Sequence, residues 1–468
     1  MIDGGRTLAG RLERYRAATR SPANRTVVAE RADDLAIRLA DAVGGEVIRT
    51  SEGVIVRCET PSRTLPVDRA RLAALPGQPP VGTPLVCLDT ETTGLATAAG
   101  TVAFLVGLGW WEGDKFRQIQ LLLPDHGEER ALLTALAAAI PPTAWLVTYN
   151  GRSFDWPLLV ARYRLARRTA PVHDGHLDLL PIVRRLFRHR MPDARLRTAE
   201  ASLLGLVRTG DVDGWEIPGR YLQFLRGGSA AALVEVVRHN DQDVRSLGRL
   251  LALLEHSLGD DHGRAQAPPG DLAGLARAFA RERRLDEALA CLDAASERTI
   301  ADLAAAVAPN TEPTAPSARS VAPSARPVRA ATDDDPWWSA RRPADFGGRP
   351  LPGRRSATWS PTVAVQAPWT AERIAIDRAH LLRRLGRHLE AVDAWSQLAA
   401  GPGRIAVSAA MELAKLHEHR LRDRDAALRA ALHGLALAER RRRMGMPEPT
   451  LEADLIHRVT RLKRRQLP

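Results

Sequence analysis

Cysteine is scarce in this chain. Cys58, Cys87 and Cys291 are the only three, too few and too scattered for a disulfide framework or a thiolate zinc site. A reducing, cytoplasmic setting is the expectation. Long apolar runs are missing as well: none approaches the roughly 18–20 residues that a bilayer demands. The opening MIDGGRTLAGRLERYR does not read as a cleavable signal either, so no membrane partner is expected. Lysine is almost absent, confined to Lys115, Lys415 and Lys463, and the net charge of +12 is therefore arginine's. A basic balance suits a polyanionic partner. An arginine skew beside so much alanine also fits a GC-rich genome, so charge alone decides nothing. What is present is ordinary bulk: 468 residues, 45% of them hydrophobic, enough for two to four domains.

Patterning divides the chain. Residues 1–83 read as an N-terminal extension, a helical stretch and then EVIRTSEGVIVRCET, two short strands turning at Ser51-Glu52-Gly53. PGQPPVGTP (76–84) marks a boundary. Residues 84–256 alternate strand and helix. LVCLDTET is a strand, the next two strands turn at Gly113-Asp114, and GEERALLTALAAAI is a helix with acids in its first turn. TAWLVTYN and HLDLLP are further strands separated by a helix, and AAALVEVVRHNDQDVRSLGRLLALLEH closes the region as one long helix. This order predicts an α/β fold with a mixed sheet flanked by helices.

Beyond it, residues 271–304 and 370–440 carry helical pairs with a shared plan, an apolar helix, a basic turn and an acidic start to the next helix. They resemble tetratricopeptide repeats, in which each pair buries its neighbour's apolar stripe; a plain helical bundle is the other reading. Residues 305–369 are rich in proline, alanine, serine and arginine, without an apolar period, and read as a disordered linker holding Trp337, Trp338 and Trp359, with Trp369 at its end. Residues 441–468 form a basic helical tail.

The chemistry-bearing feature is LVCLDTETTGL (85–95). An apolar run drives into Asp89 and Glu91, which share one strand face while Thr90 points the other way. Two such carboxylates repel, and either a cation between them or protonation of one relieves the conflict. TYNGRSFDWPLL (148–159) adds Asp155 at the start of a helix, where a simple N-cap would explain it. RHNDQDVRSL adds His239 and Asp243, four apart on one helix face; an exposed polar patch would explain those. Asp241 faces elsewhere and reads as solvent-facing, and Asp178 in HLDLLP reads as a maker of structural hydrogen bonds.

Taken together, D-x-E, then N-x-x-x-F-D, then H-x-x-x-D, over about residues 84–256, resemble the DEDD superfamily of 3′–5′ exonucleases with their ribonuclease H-like fold. The block YNGRSFDWP followed by HLDLLPIVRR is similar to the proofreading domain of B-family DNA polymerases. The span through RLRTAEASLLGLVRTGDVDGWEIPGRYLQFL and HNDQDVRSL resembles the YprB-type ribonuclease H-like domains of bacteria more closely still. The resemblance implies Asp89, Glu91, Asp155 and Asp243 as ligands of two Mg²⁺ or Mn²⁺ ions, hard cations that want carboxylate oxygen, with His239 as general base. One branch of the superfamily has tyrosine at this spacing and another has histidine one residue further away; this chain puts histidine at the tyrosine spacing. The resemblance also implies that Asn150 and the Thr92, Thr93, Gly94, Leu95 turn meet a single-stranded 3′ end. The enzymatic reading is a metal-dependent exonuclease on DNA or RNA. The competing one is a non-catalytic nucleic-acid-binding adaptor that recruits a protein partner through its helical repeats.

Overall fold

In the computed structural model of the chain, residues 22–94, 100–307 and 371–464 are described, the side chains of 22–29 and 303–307 excepted. They fall into two compact units, one reaching Val183 and including Asp193–His256, the other Arg184–Pro192 and the residues from Ser257 on.

The first unit is built on one seven-stranded sheet. Helix α1 (Pro22–Val43) precedes β1 (Glu46–Thr50), β2 (Gly53–Thr64), the short α2 (Arg69–Ala73), β3 (Leu85–Thr92), β4 (Ala103–Glu112) and β5 (Lys115–Leu122). Next come α3 (Glu129–Ala139), β6 (Trp145–Thr148), α4 (Asp155–Leu165), β7 (Gly175–Asp178), α5 (Leu179–Phe187), α6 (Leu196–Ala199), α7 (Ile217–Leu225) and the long α8 (Ala232–Leu258). The sheet runs β1-β2-β5-β4-β3-β6-β7. Its first five strands pair antiparallel, and β6 and β7 extend it in parallel with β3. The expected α/β class and mixed sheet are present. The hairpin assigned to a separate N-terminal extension is not separate: β2 pairs with β5 from Val56↔Leu122 to Thr64↔Lys115. The boundary at residue 84 therefore falls inside one sheet. Strand pairing across fifty residues leaves no mark in local composition, whereas the prolines of the intervening loop do.

One core face of the sheet is closed by α1, α3, α4 and α7, with Leu35, Leu39, Leu132, Leu136, Leu159 and Phe224 among the buried side chains. Phe104 of β4 stacks on Tyr221 of α7 at 4.0 Å between centroids, and the Tyr221 hydroxyl donates to the Leu123 carbonyl. Helix α8 is fixed in register on β4 and β5 by polar side chains. Gln120 donates to the Val237 carbonyl at 2.8 Å and to Asn240 Oδ1 at 2.9 Å, and Gln118 donates to the Asp241 carbonyl. Gly107 of β4 makes the approach possible, because a Cβ there would lie 2.2 Å from Asn240 Oδ1.

The second unit is helical. After α9 (Asp261–Gln266) come α10 (Pro269–Arg281), α11 (Leu285–Val307), α12 (Ala371–Arg384), α13 (His388–Ala400), α14 (Gly403–Leu416), α15 (Arg424–Arg443) and α16 (Pro449–Arg464). From α10 on, each packs on the next in sequence, as stacked helical hairpins do. Arg277–Asp377 and Arg378–Asp293 ion pairs tie α10 and α11 to α12, so the helices on either side of residues 308–370 are neighbours. The linker read at 305–369, with Trp337, Trp338, Trp359 and Trp369, lies outside the described residues except for 305–307, which end α11. In the basic tail, Arg441, Arg442 and Arg443 are paired with Glu448, Glu452 and Glu439. No described helix is long and apolar enough to cross a membrane.

Candidate active site

Strand β3 is buried from Leu85 to Leu88 and half-buried from Asp89 on. It thus carries its two acids out of the core at the edge where the parallel strands end. A register shift between Glu91 and Thr92 breaks its pairing with β4, which lets the chain turn. Thr92 Oγ1 donates to the Gly94 carbonyl at 2.7 Å, and the Val102 N–H donates to Thr93 Oγ1 at 3.0 Å. The expected Thr92–Gly94 turn is therefore a pinned structure beside the acids. Leu95 lies outside the described residues.

Asp89 stands opposite Gly107 in the sheet, and into that gap comes Asn240 from α8. Asn240 Nδ2 donates to Asp89 Oδ2 at 2.8 Å while its Oδ1 accepts from Gln120. Asp155 is the first residue of α4; the cap position belongs to Phe154, which makes no side-chain cap bond. The N-cap explanation for Asp155 thus does not hold. Its carboxylate turns inward and accepts the Thr90 hydroxyl. The loop before it is held by Asp178, whose Oδ1 accepts the N–H groups of Asn150 at 2.7 Å and Leu180 at 3.1 Å. Asn150 is in the left-handed region at φ 70°, a conformation that asparagine tolerates better than most side chains. Asp178 is thus a structural acceptor, and Asn150 acts at least through its backbone.

His239 and Asp243 do share a face of α8, and it is the face that meets β3. His239 Nε2 lies 3.6 Å from Asp243 Oδ2 and 3.9 Å from Glu91 Oε1. Five side chains from three separated segments thus occupy one neighbourhood. The electrostatics agree. Burial first, then the charges of Asp243, Asp155 and Glu91, push the Asp89 carboxyl well above the ordinary range. Burial and the same Asp243 and Asp155 charges do this to Glu91. Asp155 is raised by burial, against which the Thr90 hydrogen bond pulls.

Four residues that sequence reasoning passed over complete the site. Glu200, wholly buried, takes Arg208 through both carboxylate oxygens, Nε at 2.6 Å and NH2 at 2.5 Å. The same guanidinium reaches Asp243 Oδ1 and, at 3.1 Å, Asp211 Oδ2. Asp211 Oδ1 is 2.7 Å from His239 Nδ1, and Asn240 is the fourth. The readable signal was the polar run VRTGDVDG, with a cation and an acid three apart. Asp241 corrects the expectation of a solvent-facing side chain: it is half-buried and accepts from Thr60, Gln118 and Arg245, because β5 presents glutamines where it meets α8.

Carboxylate oxygens beside one imidazole are the donors that a hard divalent cation takes, and repulsion among buried acids is what such a cation relieves. The donor types therefore fit. Among the described residues, however, no group of three or more acidic, histidine or cysteine side chains is arranged so that it could hold a metal ion as it stands. Asp89, Asp155 and Asp243 each give one oxygen to a protein donor: Asn240, Thr90 and Arg208 respectively.

Comparison with known proteins agrees with this architecture. The family described as the RNase_H superfamily matches residues 86–255. A Bacillus subtilis (strain 168) protein described as "Uncharacterized protein YprB" is 35% identical over 221 residues, 47% of this chain and 53% of that protein. The chain thus spans about half the length of the curated relative it matches. Residues 86–255 thus resemble the ribonuclease H-like domains of the RNase H superfamily, and the chain is similar to YprB over part of its length.

Proposed function

We propose that this protein is a metal-dependent 3′–5′ exonuclease that hydrolyses phosphodiester bonds of DNA or RNA. The observation that carries the reading is the position of His239 Nε2 between Glu91 and Asp243, on the sheet edge that also bears Asp89. Asp89, Glu91, Asp155 and Asp243 would hold two Mg²⁺ or Mn²⁺ ions. Such ions, when bound, make a water acidic enough to attack at neutral pH and offset the charge gathering on the phosphate. His239 would act as the general base, taking a proton from the attacking water through Nε2. Asn240 keeps Asp89 aimed while Thr90 does the same for Asp155. The Thr92–Gly94 turn and Asn150 would meet the terminal nucleotide of a single strand. The helical unit, tetratricopeptide-like in its succession of hairpins, would take a protein partner. Its cysteine, Cys291, is buried and free like Cys58 and Cys87, in keeping with a cytoplasmic setting.

The test is digestion of 3′-labelled DNA and RNA, single- and double-stranded, with Mg²⁺ or Mn²⁺. The wild type should shorten at least one strand type from the 3′ end, and Asp89→Ala and Asp155→Asn should not. Undiminished digestion by both variants would dismiss the assigned site. Binding without cleavage by the wild type on every strand would favour the adaptor.

A further inference from the structure

Between α6 and α7 the chain makes an irregular loop that returns two charged side chains, Arg208 and Asp211, to the acidic edge. Neither belongs to the ligand set or to the base. Burial would raise the Asp211 carboxyl, but the hydrogen bond with His239, the charge that His239 carries when protonated and the Arg208 charge overcome it and hold the group below the ordinary range. It is an ionised acceptor. We propose that Asp211 and Arg208 are positioning residues, Asp211 fixing His239 in the tautomer that can take a proton and Arg208 holding Asp211 and Asp243 in register with it. The proposal rests on the hydrolytic reading for its consequence, though not for its geometry.

A neutral imidazole has one N–H, and its position follows from the hydrogen bond it makes. Nδ1 lies 2.7 Å from Asp211 Oδ1, whereas Nε2 lies 3.6 and 3.9 Å from Asp243 and Glu91, beyond hydrogen-bond range. In the neutral ring this geometry puts the proton on Nδ1 and leaves the Nε2 lone pair facing the carboxylates. Arg208 NH1 approaches Nδ1 to 3.4 Å, the weaker contact of the two, and its stronger one is to Asp211 Oδ2 at 3.1 Å. The guanidinium is itself fixed: only 3% exposed, it is gripped by Glu200 through two bonds, and Ser246 donates to the same carboxylate. The planar fork, with five N–H donors, takes both oxygens of Glu200 together with Asp211 and Asp243, more bonds than the three donors of an ammonium can make. This gives the histidine at its unusual spacing an orienting acid from outside α8.

Asp211→Asn is the discriminating change because its shape is conserved. Arg208 NH1 can only donate, so the new amide must offer it the oxygen and turn its NH2 toward Nδ1. That forces the ring to carry its proton on Nε2. The experiment is long-range ¹H–¹⁵N correlation of the full chain labelled at histidine, with the His239 signals assigned through His239→Gln, alongside kcat and KM on a 3′-labelled single strand. Wild type should show Nδ1–H, and Asp211→Asn should show Nε2–H. The variant's kcat should fall about 10²–10⁴-fold, as loss of a working general base costs, with KM little changed. Asp211→Ala, read the same way, should also lose Nδ1–H. An Nε2–H ring in the wild type, or an unchanged ring in both variants, overturns the proposal, as does unchanged kcat in both. If the wild type cleaves no strand, the hydrolytic reading falls on that result, while the ring proton still decides the positioning role.

Discussion

Gly107→Ala tests how the sheet and α8 together set the acidic edge. The added Cβ would stand 2.2 Å from Asn240 Oδ1, 2.7 Å from Val244 Cγ2 and 3.0 Å from Asn240 Cγ. Comfortable separations are about 3.5–4.0 Å, so Asn240 must retreat by about 1 Å or more. It has no slack: it is wholly buried and bonded both to Gln120 and to Asp89. Overpacking of this kind costs about 1–3 kcal/mol, and a buried amide torn from its partner costs about 1–3 kcal/mol more. The expected loss is thus about 2–6 kcal/mol, read by urea or thermal unfolding of the first unit as a fall of about 4–24 °C. Activity should fall too, because Asp89 loses its donor. The cause is identifiable by a double-mutant cycle with Asn240→Ala. Removing the side chain that clashes should make the glycine change cheaper by at least about 1 kcal/mol. Strict additivity, or a Gly107→Ala protein as stable as wild type, would refute the reasoning.

Glu200→Gln should destabilise the first unit by about 3–5 kcal/mol, the cost of breaking a buried ion pair from one side, since Arg208 stays buried against it; a loss under about 1 kcal/mol in urea would contradict this. Tyr221→Phe removes a buried hydroxyl bond to Leu123 and should cost about 1 kcal/mol while leaving strand digestion intact, as unfolding and digestion assays would show. Burial, then the charges of Arg152 and His173, hold His176 at about 4 against an ordinary 6.5. The unfolded chain therefore binds the extra proton first, and stability should decline as pH falls from about 6.5 toward 4. Urea midpoints across that range should show a shallower decline in His176→Gln, and equal slopes would remove His176 as a cause.

The parts legible in the sequence were those written in local periodicity. An apolar run ending in Asp89 and Glu91 could only be a strand leaving a core, and His239 and Asp243 four apart could only share a helix face. What escaped was set by partners far along the chain. Arg208 and Asp211 sit in an irregular loop with no period to expose them, and their meaning comes from Glu200, His239 and Asp243. Asp241 was misjudged because helical phase says where a side chain points but not what covers it; here Gln118 on β5 does. The N-terminal hairpin was likewise visible as two strands, yet its place beside β5 depends on a pairing no local pattern encodes. Asp155 shows the same limit on a smaller scale, since its position at a helix start suited a cap, and only the approach of Thr90 reveals an inward-turned carboxylate.

In the proposed reading, acids from β3, α4 and α8 form one divalent-cation site. Calorimetric titration of Mn²⁺ into the full chain near neutral pH, in wild type and in Asp89→Asn and Asp243→Asn, tests it without reference to any substrate. Wild type should take up the ion and release protons, because metal displaces protons from carboxylates whose affinity for them is raised, and both variants should bind at least about tenfold more weakly. A wild type that takes up no Mn²⁺, or variants that bind it as tightly as wild type, would contradict the claim.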